Sequence, residues 1–222
     1  VVFWVKLRQR GYNRSISGLY RVLARSGQMA AKLPNPKYTP KPYEQMQYPG
    51  QRIQIDVKYV PNACLVGGAA GQKFYQYTMI DEASRERFIY PYKEQSSYST
   101  VDFVKRSIVY FGYKPKIIQT DNGSEFTHIK KTERIHPLDV LCNSLNIEHK
   151  LIRPRTPRHN GKVERSHRND QQRFYQFLKF YSYDDLLIQM KSYLKRSNNI
   201  PMQILGWKTP LEMRDELSNL NK

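Results

Sequence analysis

The chain has 222 residues, 39% hydrophobic and 13% aromatic, enough for one ordinary domain with a real core plus a smaller module. Its 37 Lys and Arg against 19 Asp and Glu leave a net charge of +18, which predicts attraction to polyanions. No apolar run approaches the ~20 residues of a spanning helix, so nucleic acid is favoured over membrane. Two cysteines, Cys64 and Cys142, are too few for a disulfide framework and fit a reducing cytoplasm as small packed residues.

The chain opens without Met, inside what reads as a helix, and is therefore expected to be a piece of a longer protein. Residues 1–27 read as two short helices broken at Gly11-Tyr12-Asn13. Ser15 is placed to cap a second helix whose Ile16, Leu19, Tyr20 and Leu23 fall on one face, with Gly27 closing it. Helix, Gly-containing turn and basic second helix is the pattern of a helix-turn-helix, here its C-terminal part over residues 1–30. Arg14, Ser17, Arg21 and Arg25 are its candidate DNA contacts; the competing reading is a helical hairpin with a solvated basic face. Residues 31–50 hold five prolines and little aliphatic periodicity, which predicts an extended linker.

From residue 51 strands and helices alternate. Ile53, Ile55, Val57 and Tyr59 interleave with Arg52, Gln54, Asp56 and Lys58, a period-2 strand. Residues 61–71 read as a loop, and 74–80 and 87–92 as two more strands. Ser99-Thr100-Val101-Asp102 resembles a capping box opening a helix through Tyr110 that Gly112 closes. Residues 117–120 predict a strand, 137–145 a helix and 147–152 a strand. A long helix is expected from Lys162 towards Phe180, and another from Ser182. The layout is α/β: a mixed five-stranded sheet flanked by helices, over a core of residues 51–215 with a tail at 216–222.

Three carboxylates stand out only as a set. Asp56 sits mid-strand, Asp121 where a strand runs into Asn122-Gly123, and Glu164 in a helix's first turn. Taken singly, a solvated strand face, a turn residue and a favourable dipole contact explain each. Brought into one cleft they would repel, and either Lys and Arg or hard divalent cations would have to neutralise them. Magnesium suits such a site, because it takes a few carboxylates plus phosphate oxygens and keeps several waters.

Ile55-Asp56-Val57-Lys58-Tyr59, then Gln119-Thr120-Asp121-Asn122-Gly123-Ser124-Glu125-Phe126, then Arg153-Pro-Arg-Thr-Pro-Arg-His-Asn160-Gly-Lys-Val-Glu164-Arg165 resemble, in order, the three motifs of the DDE transposase and retroviral integrase superfamily. The nearest likeness is to bacterial insertion-sequence transposases with an integrase-type core. It spans residues 51–215, including Leu205-Gly-Trp-Lys-Thr-Pro210, and Gly11–Tyr20 resembles the end of the preceding helix-turn-helix. The resemblance implies an RNase H-like fold in which Asp56, Asp121 and Glu164 bind two Mg²⁺ or Mn²⁺ ions. It further implies cleavage at element ends and strand transfer into target DNA, by at least a dimer on double-stranded DNA in a bacterial cytoplasm, at the nucleoid. Asp121 and Glu164 lie further apart than in most retroviral integrases, which suggests a basic surface loop at 127–137. Gln171 replaces a basic residue common in relatives, so Arg168, one turn past Glu164, is its substitute. The zinc-binding module of retroviral integrases is missing.

A second basic surface surrounds Glu164: Arg153, Arg155, Arg158, His159, Asn160, Lys162, Arg165 and Arg168 are expected to hold phosphates. His167 reads as a hydrogen-bonded structural residue. The rival readings are a non-catalytic helix-turn-helix regulator, which explains the charge but not the acids, and an RNase H-type nuclease. A silenced copy of the element is disfavoured by the intact triad.

Overall fold

The computed structural model describes residues 2–29, 44–129, 132–153 and 160–220. Most of the predicted linker, Arg155, Arg158 and His159 lie outside them. The chain divides into two compact units, Val1–Tyr43 and Glu44–Lys222.

In the first unit α1 (Val2–Arg8) and α2 (Ile16–Arg25) are joined by a turn in which Gly11 takes φ +93°. Ser15 caps α2, its hydroxyl accepting the Gly18 N–H at 3.1 Å, as the sequence predicts. Gly27, at φ +68°, ends the segment, where a side chain would be strained. The Trp4 indole N–H donates to the Arg14 carbonyl at 3.0 Å and ties the turn to α1. Of the apolar stripe on α2 only Leu19 is buried, because two short helices offer too little surface to cover Ile16 and Tyr20.

The second unit is built on a five-stranded mixed sheet in the order β3-β2-β1-β4-β5. Its strands are β1 (Arg52–Tyr59), β2 (Tyr75–Asp81), β3 (Arg87–Tyr92), β4 (Ile117–Thr120) and β5 (Glu148–Leu151). The first three form an antiparallel meander; β4 and β5 add in parallel on the other side of β1. The helices are α3 (Ser97–Phe111), α4 (Pro137–Ser144), α5 (Gly161–Asp170), α6 (Tyr183–Asn198) and α7 (Pro210–Leu220). Among the described residues no helix is long and apolar enough to cross a membrane.

Cross-strand register separates the two faces of the meander. Val57 faces Tyr77 and Tyr90, and Ile55 faces Met79 and Phe88, giving an apolar face. Phe103 of α3 packs onto it, its ring 5.5 Å from those of Tyr77 and Phe88. The opposite face aligns Arg52 with Glu82, Gln54 with Ile80, Asp56 with Thr78 and Lys58 with Gln76. Its period-2 polarity predicts a solvated face, yet Arg52, Gln54, Gln76 and Thr78 are buried because α5 lies across β1 and β2. Their polar atoms pair with one another and with the helix instead of with water.

Three local expectations shift. Ser96 caps α3, accepting the Ser99 N–H at 3.1 Å, while Asp102 of the predicted capping box instead receives Tyr92 and Arg106. The expected long helix past Glu164 breaks early: α5 widens to a π turn at Gln171–Tyr175, and Phe180 pairs with Leu65 as an isolated bridge. Residues 44–50 pack with the sheet rather than as a connector, with Met46 buried and the Gly50 N–H held by Asp81 at 2.7 Å.

Candidate active site

Parallel pairing sets β1 against β4 with Arg52 opposite Ile117, Ile53 opposite Ile118 and Gln54 opposite Gln119. The paired ladder ends there; Asp56 lies two residues further along β1, and Asp121 immediately follows the end of β4 at Thr120. The first turn of α5, which carries Glu164, is tied to β1 at Gln54 and Ile55. Asp121 and Glu164 both lie near enough to Asp56 for their charges to act on it.

Burial pushes the Asp56 carboxyl up to about 7; the Val57 N–H, 2.8 Å from Oδ1, opposes this, and the charges of Asp121, Glu164 and Glu125 add to it. Asp121 holds its own turn through Oδ1, which accepts the Gly123 N–H at 2.9 Å. Glu164 is exposed, so its carboxylate is open to a partner from solution. Glu125, a fourth acid, is buried and receives Gln95 at 2.5 Å. A Cβ added to Gly123 would fall 2.6–2.8 Å from the Glu125 carboxylate, so the glycine leaves room for that side chain to lie where it does.

His167 stands between the carboxylates and the sheet. Its Nδ1 is 3.4 Å from Asp56 Oδ2 and its Nε2 lies 3.0 Å from Thr78 Oγ1. Burial pushes the imidazole down to about 4, so it is neutral and the Asp56 contact is no ion pair. Beneath it Asp170 pairs with Arg87 at 2.6 Å and accepts from Tyr193 at 2.9 Å and Gln76 at 2.8 Å. A further polar chain supports the Asp121 strand: Asp139 to His149 at 2.6 Å, and His149 to Thr120 at 2.9 Å.

Among the described residues no three His, Cys, Asp or Glu side chains are drawn together closely enough to coordinate one ion as they stand. The donor chemistry nevertheless fits a hard divalent cation. Asp56, Asp121 and Glu164 are all-oxygen donors, and their mutual repulsion is what a cation would relieve.

The sequence-derived basic residues separate into groups. Arg14, Ser17, Arg21 and Arg25 are exposed in the first unit, and Arg153, Arg165 and Arg168 in the second. Asn160 is buried, donating Nδ2 to the Ile55 carbonyl at 3.2 Å. Lys162 turns inward, its ammonium 2.6 Å from Glu82. Reading the sequence missed Glu125, Gln54 and Glu82. Glu125 could have been found within the Asp121 motif; nothing local marks the other two.

Sheet order and flanking helices together define an RNase H-like fold. HTLV-2 integrase catalytic core, solved in complex with magnesium, shares it with a TM-score of 0.55 at 20% identity, covering 75% of this chain and 97% of that one. The catalytic core of BIV integrase does so with a TM-score of 0.57 at 18% identity, over 78% and 98%. Family models described as "Integrase core domain" match residues 47–157, half of the chain, and residues 145–210. The chain belongs to the integrase core domain family. It is 35% identical over 131 residues to the putative integrase ORF3 of Spiroplasma virus SpV1-C74, covering 53% of this chain and 34% of that protein. A Pol polyprotein from transposon TNT 1-94 of Nicotiana tabacum is 33% identical over 100 residues, 44% of this chain and 7% of that one. The chain thus spans 34% and 7% of the lengths of these curated relatives.

Proposed function

We propose that this chain is the catalytic core of a DDE transposase, which cleaves DNA at the ends of a mobile element and transfers the strand to target DNA. The observation that supports the reading is the Asp56 carboxyl of β1, pushed up to about 7 by burial and further by the nearby charges of Asp121, just past β4, and Glu164 of α5. These three would hold two Mg²⁺ or Mn²⁺ ions. When bound, such a pair lowers the pKa of the attacking water or 3′-hydroxyl and neutralises charge on the departing 3′-oxygen.

The protein's own groups then divide the work. Asp56 on β1 and Asp121, just past the end of β4, would give the site its floor, and Glu164 would close it from the helix. Neutral His167 buttresses Asp56 without competing for its charge. Arg165 and Arg168, exposed on α5, and Arg153 would neutralise DNA phosphates, together with Arg155, Arg158 and His159. No side-chain nucleophile is required.

Residues 1–30 serve in this reading as the C-terminal part of a helix-turn-helix, with Arg14, Ser17, Arg21 and Arg25 facing the element's terminal repeats. Bringing two ends together calls for at least a dimer, working in a bacterial cytoplasm. The test is incubation with an oligonucleotide bearing the terminal repeat and Mg²⁺ or Mn²⁺. Nicked and joined products support a transposase; cleavage of RNA–DNA hybrid without joining supports a nuclease. Tight operator binding with no metal-dependent product supports a regulator.

A further inference from the structure

The first turn of α5 is capped from outside itself. Asn160, the residue preceding the helix, makes no side-chain cap bond, although the leading N–H groups of a helix need partners. Gln54 of β1 supplies them: its Oε1 accepts the Lys162 and Val163 N–H groups, each at 3.1 Å. Gln54 Nε2 donates to Glu82 Oε1 at 2.9 Å, and Lys162 Nζ donates to Glu82 Oε2 at 2.6 Å. Glu82, in the turn between β2 and β3, has a fully buried side chain and also receives Arg52 at 2.9 Å. Asn160 adds a fourth tie to the Ile55 carbonyl at 3.2 Å.

Gln54 lies two residues before Asp56, and Lys162 two residues before Glu164. We infer that Gln54, Glu82 and Lys162 are positioning residues, a bracket that fixes Glu164 of α5 at its station over Asp56 of β1. Lys162 is then a strut and not a phosphate ligand, because its ammonium is committed to a buried carboxylate. The inference rests on the metal-site reading above. A shift of an ångström in a reacting group can cost about 100-fold in rate, so a bracket of this kind has catalytic leverage without touching DNA.

The test uses the full chain and compares Lys162→Met, Lys162→Arg and Gln54→Met with wild type in three measurements. These are Mn²⁺ titration of the DNA-free protein, DNA affinity as a function of salt, and single-turnover strand transfer. Lys162→Met should lower the strand-transfer rate about 10- to 100-fold and weaken Mn²⁺ binding, leaving DNA affinity and its salt slope unchanged. Lys162→Arg should restore both losses. Gln54→Met should give the same pattern and speed hydrogen exchange at the Val163 amide, which keeps the test open if Lys162→Met does not fold. Weakened DNA binding with a salt slope shallower by about one, at unchanged Mn²⁺ affinity, would identify a phosphate ligand and overturn the inference. So would wild-type behaviour of both Met variants. If Glu164→Gln retains activity, the metal-site reading itself fails; if only the bracket variants do, the bracket alone falls.

Discussion

His167 and Asp56 meet across the polar face, Nδ1 to Oδ2 at 3.4 Å, with the other imidazole nitrogen held by Thr78. The contact links the helix that carries Glu164 to the strand that carries Asp56 through a neutral side chain. Replacing His167 with Ala should remove the wall against which Asp56 packs and lower strand transfer by about tenfold. His167→Asn, which keeps a polar tip, should retain more of it. Single-turnover rates of the two variants at matched DNA occupancy check this, and equal losses would reduce the imidazole to a space filler.

Asp170 lies beneath the same face with a fully buried side chain, paired to Arg87 at 2.6 Å. Asp170→Asn should destabilise the fold by about 3–5 kcal/mol, since it strands a buried guanidinium. Urea unfolding measures it. A cost no larger than that of a surface substitution would mean that Arg87 finds another partner.

Glu86 gives stability a pH dependence of unusual sign. Burial pushes its carboxyl up to about 7, against the pull of Arg214 at 3.0 Å, and among the described residues its Oε2 has no hydrogen-bond partner. A raised folded pKa means that the contribution is fully present below the unfolded value and is lost as pH rises through 7. Glu86→Gln should therefore gain stability relative to wild type on going from pH 4.5 to pH 8, by up to about 3 kcal/mol. Denaturation midpoints of the pair across that window decide it; a constant difference would show that Glu86 titrates normally.

On α2, Arg21 is exposed, its Nε donating to the Ser17 carbonyl at 3.4 Å. Arg21→Ala should weaken binding to terminal repeats by about 1–3 kcal/mol and to random duplex by less. Competition binding at fixed salt compares the two, and equal weakening would remove α2 from sequence reading.

Much of this site could be read from the sequence, and the rest was hidden for physical reasons. Alternation along β1 was enough to place Asp56 opposite its aliphatic neighbours. It could not say that Gln54 and Arg52 would be buried, because a polar face looks the same whether water or a helix covers it. Four Ser and Thr residues from Ser96 to Thr100 offer competing caps. Ser96 prevails because the Tyr77 hydroxyl grips its N–H at 3.1 Å and its carbonyl at 3.2 Å, a contact 19 residues away in sequence. The Lys162 charge looked like part of a basic surface because its partner, Glu82, is 80 positions away. Glu44–Gly50 looked like linker because it holds to the sheet through Arg52 and Asp81, not through an apolar pattern.

The most direct test of the central claim is metal-dependent joining by Asp56→Asn and Glu164→Gln beside wild type, with DNA affinity measured on the same preparations. Both variants should lose strand transfer while binding DNA as wild type does. Near-native joining by either would contradict the account.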